Sequence, residues 1–208
     1  MSIANTAAER VRALRLSQSM TLAELSARSA LPISTLSKLE NGKVSLSYDK
    51  LRKLALGLSV DISYFVAVEP SAFALAQQLG RRSLSRKNDL SVIETDNYTY
   101  RYHATDLLNK KMTPMIIDID VPKDAEIEFS RHPGEEFFMV LKGEVEFCSE
   151  LYAPTVLKTG DSMYFDGSMG HAYRRNSDAP AQILSVCCAA FEELELVRAR
   201  AVSEEEDR

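Results

Sequence analysis

A short polar helix predicted early in the chain carries side chains well suited to hydrogen bonding with another molecule. Leu36 and Leu39 share one face of this helix, which leaves Ser34, Ser37 and Lys38 facing outward. Hydroxyls can donate to or accept from base edges, and an ammonium group can bind phosphate. This composition is typical of a helix that enters a DNA major groove.

The flanking residues predict how this helix is positioned. Thr21 and Glu24 have the spacing of a capping box, which starts the preceding helix. Pro32 is tolerated in the first turn of a helix, so a new helix is expected to begin near it. Gly42 predicts where that helix ends.

Three further helices complete an N-terminal unit. We expect one helix over about 6–18, one capped by Ser47, and a last short helix starting at Asp61. Five short helices over residues 1–66 predict a compact all-α domain.

Residues 9–66 resemble the lambda-repressor-like, XRE-type helix-turn-helix family. The matching positions are Arg15, the Leu-Ala-x-Leu at the start of the second helix, and the Leu-Ser-x-x-Glu-x-Gly run that ends at Gly42. Two positions depart from the family, since Ala30 stands where Gly is usual and Pro32 where Ser or Thr is usual. The resemblance implies DNA binding, and the alternative is a protein-binding module of the same fold.

The resemblance and the outward face together give a set of candidate DNA contacts. Base edges are expected to meet the third helix, and phosphates the helix N-termini and the residues after that helix. The candidates are Thr21, Leu22, Ile33, Ser34, Thr35, Ser37, Lys38, Asn41 and Lys43. For the two serines, the simpler alternative is the ordinary polarity of a solvent-facing helix.

The charge distribution favours the same interpretation. Residues 1–66 carry nine Lys and Arg against five Asp and Glu, a net charge of +4, whereas residues 67–208 carry 16 against 25, a net charge of −9. A basic module on an acidic body suggests that only the module faces phosphates.

Composition and cysteine usage limit the class of protein. Of 208 residues, 45% are hydrophobic, which is enough for two packed cores. No apolar run reaches the ~18 residues of a membrane span, and the N-terminus has no signal-peptide core, so we expect a cytoplasmic protein. Cys148, Cys187 and Cys188 have no metal-binding spacing and are expected to be reduced thiols; a redox-sensing role is the alternative.

The hydrophobic period changes to two in the C-terminal part of the chain. Tyr98, Tyr100 and Tyr102 alternate with polar residues, and similar short runs follow with turns between them. Residues 91–191 therefore predict an antiparallel sandwich or barrel. Residues 67–90 are expected to be a linker with a short helix over 72–79, and residues 192–208 an acidic tail that starts as a helix and becomes disordered.

Two segments of this β region, 131–147 and 160–174, resemble the two motifs of the cupin family, a small jelly-roll barrel. The resemblance covers about residues 110–190 and implies a metal site with His132, Glu136 and His171 as ligands. Ser130 stands where the family has a further His. Three alternatives stay open: a divalent metal (Zn, Fe, Mn or Ni), a metal-free pocket for an organic ligand, or no occupied site.

Side chains expected near a pocket in the barrel form a second candidate set, which consists of Tyr100, Tyr102, Ser130, Tyr164 and Arg174. They combine aromatic surface with hydroxyl and guanidinium groups. Their sequence neighbourhood does not identify the ligand.

A helix-turn-helix joined to a cupin barrel resembles bacterial regulators in which the barrel senses a small molecule. The resemblance implies a two-domain α + β chain, a homodimer, a double-stranded DNA operator, a small-molecule effector and no enzymatic activity. The alternative from another class is a mononuclear non-haem iron oxidase of the epoxidase type, which also joins these two domains. A regulator that binds a protein and no small molecule is a third alternative.

Overall fold

The computed structural model describes residues 3–67 and 81–188. The described chain forms two compact units, of which the first runs to Leu84 and also includes Thr105–Lys110, and the second comprises the other described residues. No helix in these ranges is long and apolar enough to span a bilayer. The helix predicted over 72–79 and the acidic tail over 192–208 lie outside the described residues.

The first unit contains the five predicted helices. They are α1 (Ile3–Ser17), α2 (Leu22–Ser29), α3 (Ile33–Glu40), α4 (Tyr48–Gly57) and α5 (Ser63–Val66). The first helix begins earlier than the predicted 6–18, and α2, α3 and α4 begin directly after Thr21, Pro32 and Ser47. The last helix begins at Ser63, two residues after the predicted Asp61, whose carboxylate accepts from the Ser63 N–H at 2.7 Å. Their apolar stripes form a shared core whose fully buried side chains include Leu25, Leu36, Leu51, Leu54, Leu58 and Phe65.

The turn between α2 and α3 is built from local interactions. The Thr21 hydroxyl accepts from the Glu24 backbone N–H at 3.2 Å, and the Thr21 N–H donates to the Glu24 carboxylate at 2.7 Å, so the capping box is confirmed. Pro32 lies one residue before α3, where its carbonyl accepts from the Leu36 N–H at 3.0 Å. Ala30 adopts the left-handed conformation with φ 56°.

A buried ion pair ties α1 to α3. The Arg15 guanidinium donates to both carboxylate oxygens of Glu40, at 2.6 and 2.8 Å, and to the Met20 carbonyl at 2.7 Å. The hydrogen bond that Arg15 donates to Glu40 raises the Arg15 pKa, although burial lowers it. The position of α3 in the unit therefore depends on this pair as well as on its leucines.

The second unit consists of nine strands, all paired antiparallel, as predicted. They are β1 (Ser91–Glu94), β2 (Tyr98–Tyr102), β3 (Met112–Ile119), β4 (Glu135–Lys142), β5 (Glu144–Ser149), β6 (Thr155–Lys158), β7 (Ser162–Asp166), β8 (His171–Arg175) and β9 (Ala181–Cys188). One sheet has the order β1-β2-β3-β9-β4-β7 and the other the order β6-β5-β8. These non-sequential neighbours are typical of a jelly-roll barrel.

Side chains from the inner faces of both sheets fill the barrel. Phe138 of the large sheet stacks on Phe147 of the small sheet at a centroid distance of 5.8 Å, and Tyr173 meets Phe138 at 5.0 Å. The Tyr98 hydroxyl crosses between the sheets, donating to the Tyr173 carbonyl at 2.8 Å and accepting from its N–H at 3.1 Å. Strand alternation therefore points one side of each sheet into a common core.

Candidate metal centre and candidate nucleic-acid interface

Two side chains four residues apart, His132 and Glu136, meet the distant His171 inside the barrel. Glu136 comes from β4, His171 begins β8, and His132 lies in the loop before β4; each is no more than 4% exposed. The Glu136 carboxylate oxygen Oε2 lies 3.0 Å from His132 Nε2 and 3.7 Å from His171 Nε2. Two imidazoles therefore face one carboxylate oxygen.

Two hydroxyls hold the other oxygen of the same carboxylate. Tyr173 and Ser185 each donate to Glu136 Oε1 at 2.7 Å, which leaves Oε2 directed at the imidazoles. Burial opposes ionisation of Glu136, but the hydrogen bond from His132 and the charges of both imidazoles outweigh it and lower the Glu136 pKa to about 2. The carboxylate is therefore an anion in a buried setting.

Backbone carbonyls orient both imidazole rings. The Nδ1 atom of His171 lies 2.8 Å from the Met169 carbonyl, and Nδ1 of His132 lies 3.3 Å from the Pro133 carbonyl. A carbonyl can only accept, so this geometry fits a proton on each Nδ1, and each Nε2 is directed towards Glu136. Nε2 donates to Glu136 when the ring is protonated on both nitrogens, and it offers a lone pair to a metal when Nδ1 alone carries the proton. This arrangement is typical of imidazoles that bind a metal through Nε2.

Cys187 joins this group, although its position in the sequence gives no metal-binding spacing. It lies on β9 directly opposite Glu136 on β4, and its thiol is 1% exposed. The ligand atoms of His132, Glu136 and Cys187 all lie within 4.8 Å of one another. Alternation along β9 predicts that Cys187 and Cys188 face opposite sides, which is confirmed, but only the register of β9 against β4 brings Cys187 to Glu136.

Gly167 supports the ring of His132. The Gly167 carbonyl accepts from the His132 N–H at 2.9 Å, and a Cβ atom at this position would lie 2.3 Å from the His132 ring carbon Cε1. Only a residue without a side chain allows this approach. No local pattern in the sequence marks Gly167, because its role depends on the packing of one loop against another.

The donor atoms of this cluster fit a divalent transition metal ion. Imidazole nitrogen, carboxylate oxygen and thiol sulfur are its usual protein ligands. Ser130, which stands where the cupin family has a further His, pairs with His171 through backbone hydrogen bonds of 2.9 and 3.0 Å.

A cavity of about 700 Å³ lies next to this cluster in the second unit. Phe147 and Phe165 line it, and the Phe165 ring is also in contact with the His171 ring at a centroid distance of 4.7 Å. Tyr164, a pocket candidate from the sequence, is in the lining as well. The remaining wall includes Glu150, Leu151, Tyr152, Thr155, Met163, Asp166, Ser168 and Met169.

The other pocket candidates occupy different surroundings. Tyr100 and Tyr102 are buried on β2 with their rings stacked at 6.2 Å, and Arg174 forms an ion pair with Glu146. Tyr100, Tyr102 and Arg174 therefore contact other protein side chains and are not part of the wall of this cavity.

The predicted DNA-contacting face of α3 is directed outward. Ile33 is 50% exposed, Ser34 and Lys38 are exposed, and Thr35 and Ser37 are half-buried at the edge of the face. Thr21, Asn41 and Lys43 are exposed and Leu22 is half-buried, while Leu36 and Leu39 pack into the core. The candidates from the sequence thus lie on or beside one helix face.

The fold and the two sites define a helix-turn-helix domain followed by a cupin barrel. Residues 11–65 match the helix-turn-helix family and residues 118–187 match the cupin domain family. The N-terminal part of the chain therefore matches a helix-turn-helix domain and the C-terminal part a cupin domain.

Solved structures align with this chain over most of its length. An HTH_3 family transcriptional regulator from Vibrio cholerae aligns over 91% of this chain and 98% of its own, with 17% identity and a TM-score of 0.58. The hydroxypropylphosphonic acid epoxidase from S. wedmorenis aligns over 90% of this chain and 100% of its own, with 22% identity and a TM-score of 0.47. No curated protein sequence gives a significant match.

Proposed function

We propose that this protein is a sequence-specific DNA-binding transcriptional regulator whose cupin barrel binds a small-molecule effector. The observation that carries the proposal is the outward face of α3, where Ser34 and Lys38 are exposed between leucines that anchor the helix. A helix anchored on one side and polar on the other suits entry into the major groove.

The distribution of charge supports DNA as the partner. The positive charge of residues 1–66 attracts phosphates, whereas the negative charge of the remainder repels them. We propose a homodimer in which two copies of α3 enter successive major grooves, roughly 34 Å apart on one side of the duplex. The operator would then be an inverted repeat.

The test is selection of preferred sites from random duplexes by the full chain, followed by affinity measurements at several salt concentrations. We expect the pair of changes Ser34→Ala and Lys38→Ala to reduce discrimination between selected and scrambled duplexes by about tenfold or more. Lys53→Ala on α4 is the matched control, because Lys53 is paired with Asp49 on its own helix. Equal affinity of the wild-type protein for selected and scrambled duplexes would overturn the proposal.

We further propose that the effector binds in the cavity beside His171 and that a divalent metal takes part. His132, Glu136 and His171 would hold the metal, which supplies a Lewis-acid position for an oxygen donor of the effector. The rings of Phe147 and Phe165 would contact the apolar part of that molecule. The effector changes DNA affinity only to the extent that it binds the two states of the regulator differently.

Metal analysis of the purified protein tests whether His171 is a metal ligand. We expect purified wild-type protein to retain about one divalent ion per chain and His171→Ala to retain much less. Lys158→Ala, at an exposed site on β6, is the control. Equal metal content in the wild type and His171→Ala would remove His171 from the ligand set.

A mononuclear non-haem iron oxidase is the second candidate function, and the His132, Glu136 and His171 donor set favours it. Protein loaded anaerobically with Fe(II) would then consume oxygen when a substrate is added. Absence of substrate-triggered oxygen consumption, together with selective DNA binding, leaves the regulator as the function.

A further inference from the structure

The structure assigns Cys187 a role that neither its sequence context nor the cupin motifs give it: we propose that its thiolate is a ligand of the metal in the barrel. The inference rests on the proposed metal binding and defines the donor set more closely. Together with His132, Glu136 and His171, the thiolate makes a set of two nitrogens, one oxygen and one sulfur, and an oxygen donor of the effector would enter as a fifth ligand.

The register of two neighbouring strands brings the thiol to the site. Cys187 on β9 pairs directly with Glu136 on β4, and both side chains point into the barrel. Ligands at ~2.0–2.3 Å from a tetrahedral zinc ion are about 3.3–3.8 Å from one another. His132, Glu136 and Cys187 have ligand atoms within 4.8 Å of one another, and the separations from Glu136 Oε2 to the two Nε2 atoms are 3.0 and 3.7 Å. His171 is outside the 4.8 Å group, so its side chain must move towards the other three for the set to reach that geometry.

Charge balance is the second argument. The residues of the cluster are at most 4% exposed, and a net charge is costly at such a depth. Glu136 alone neutralises only one of the two positive charges of a divalent ion. The thiolate of Cys187 supplies the second negative charge, and a coordinated thiol loses its proton to the solvent.

The Ser185 hydroxyl lies against both proposed anionic ligands. It donates to Glu136 Oε1 at 2.7 Å, and its Oγ atom lies 3.6 Å from the Cys187 sulfur. Outer groups that hold ligands in this way are common around metal sites. Ser185 and Cys187 lie on the same face of β9, so the strand itself fixes their spacing.

A thiolate ligand determines which metal the barrel prefers. Sulfur is a soft donor and favours zinc, whereas iron(II) and manganese(II) are better served by nitrogen and oxygen alone. We therefore infer that the resident ion is zinc. This also makes the iron oxidase the less favoured function.

Cobalt(II) is the probe for the ligand, since it occupies zinc sites and reports sulfur through a thiolate-to-cobalt charge-transfer absorption in the near ultraviolet. We expect wild-type protein titrated with cobalt(II) to show this band. Cys187→Ser should lose the band and bind cobalt at least tenfold more weakly, while Cys188→Ser, which changes the outward-facing neighbour, should match the wild type. Circular dichroism before metal addition verifies that both variants fold, and Cys187→Ala provides a second test if the serine variant does not.

The cobalt titration distinguishes the role of Cys187 from the presence of the metal site. Cobalt bound with visible ligand-field absorption but no charge-transfer band overturns the role of Cys187 and leaves the metal site in place. No cobalt binding at all overturns both the thiolate ligand and the metal site, while DNA binding is judged by its own assay. Anaerobic competition should leave zinc bound in excess iron(II), and a preference for iron(II) overturns the assignment of zinc.

Discussion

The absence of a side chain at Gly167 allows the His132 ring to take its position. The backbone at Gly167 lies so close to the His132 ring that a Cβ atom would be 2.3 Å from Cε1 and 2.5 Å from Nδ1. A Cβ atom would also be 2.9 Å from the His132 carbonyl oxygen, so the ring or the loop must move. Displacement of the ring would disturb the proposed metal site through His132.

Gly167→Ala should weaken metal binding by about tenfold or more, because it displaces a ligand that is otherwise held in place. Competition titration with a chelator of known affinity measures the change. Ser168→Ala, at the next position, is the control. Unchanged affinity in Gly167→Ala would mean that the loop moves instead of the ring.

Ala30 is strained for a reason visible in its backbone. Its φ of 56° lies in the left-handed region, which costs a residue with a Cβ atom roughly 1–2 kcal/mol. Ala30→Gly should therefore raise the free energy of unfolding by up to about 1 kcal/mol, since glycine also loses more chain entropy on folding.

Denaturant unfolding measures this effect. Ala27→Gly, at an exposed position inside α2, is the matched control and should lower stability by about 1 kcal/mol. Equal destabilisation of both glycine variants would contradict backbone strain at Ala30.

At the scale of elements, α3 is held by an ion pair as well as by its leucines. Arg15 and Glu40 form two parallel hydrogen bonds, and their side chains are 11% and 6% exposed. Glu40→Gln leaves the guanidinium without a counter-charge, so it should cost on the order of 3 kcal/mol of stability. Lys53→Ala, which breaks a more exposed pair on α4, should cost about 0.5 kcal/mol or less. Urea unfolding compares the two, and equal losses would contradict the role of the buried pair.

The two sheets of the barrel are joined by a tyrosine hydroxyl. Tyr98 bonds to both the N–H and the carbonyl of Tyr173, and burial raises the Tyr98 pKa to about 12, despite the backbone hydrogen bond, so the phenol stays protonated. Tyr98→Phe should cost about 2 kcal/mol, because two backbone groups lose their partner. Tyr152→Phe, at a side chain that is 69% exposed, should have little effect on thermal unfolding. If Tyr98→Phe leaves the stability unchanged, water replaces the hydroxyl as the partner of the two backbone groups.

In the molecule as a whole, the two units have separate cores, and the proposed metal ligands lie in the barrel. A bound ion stabilises the unit that holds it, by about 2.7 kcal/mol when its free concentration is 100 times Kd. Chelator treatment should therefore lower the unfolding temperature of the barrel alone. Calorimetry measures both transitions, and Leu54→Ala, in the helical core, identifies the helical one. A chelator that shifts both transitions equally would contradict this expectation.

Features that depend on near neighbours in the chain could be predicted from the sequence. The capping box at Thr21 and Glu24, the outward face of α3 and the alternation along the strands each involve residues a few positions apart. The backbone and the hydrophobic period determine such features directly. The joint presence of His132, Glu136 and His171 came from resemblance to a family rather than from local rules.

The side chains that complete the site around Glu136 are brought together by tertiary contacts. Cys187 and Ser185 reach Glu136 because β9 pairs with β4 in one particular register, and a shift by one residue would turn both away from the barrel interior. Tyr173 reaches it from the other sheet, and Gly167 meets His132 through loop packing. Local sequence patterns are enough to predict the two domains and the polar face of α3. The surroundings of Glu136 depend on contacts between strands distant in the chain, because no local rule sets the register of those strands.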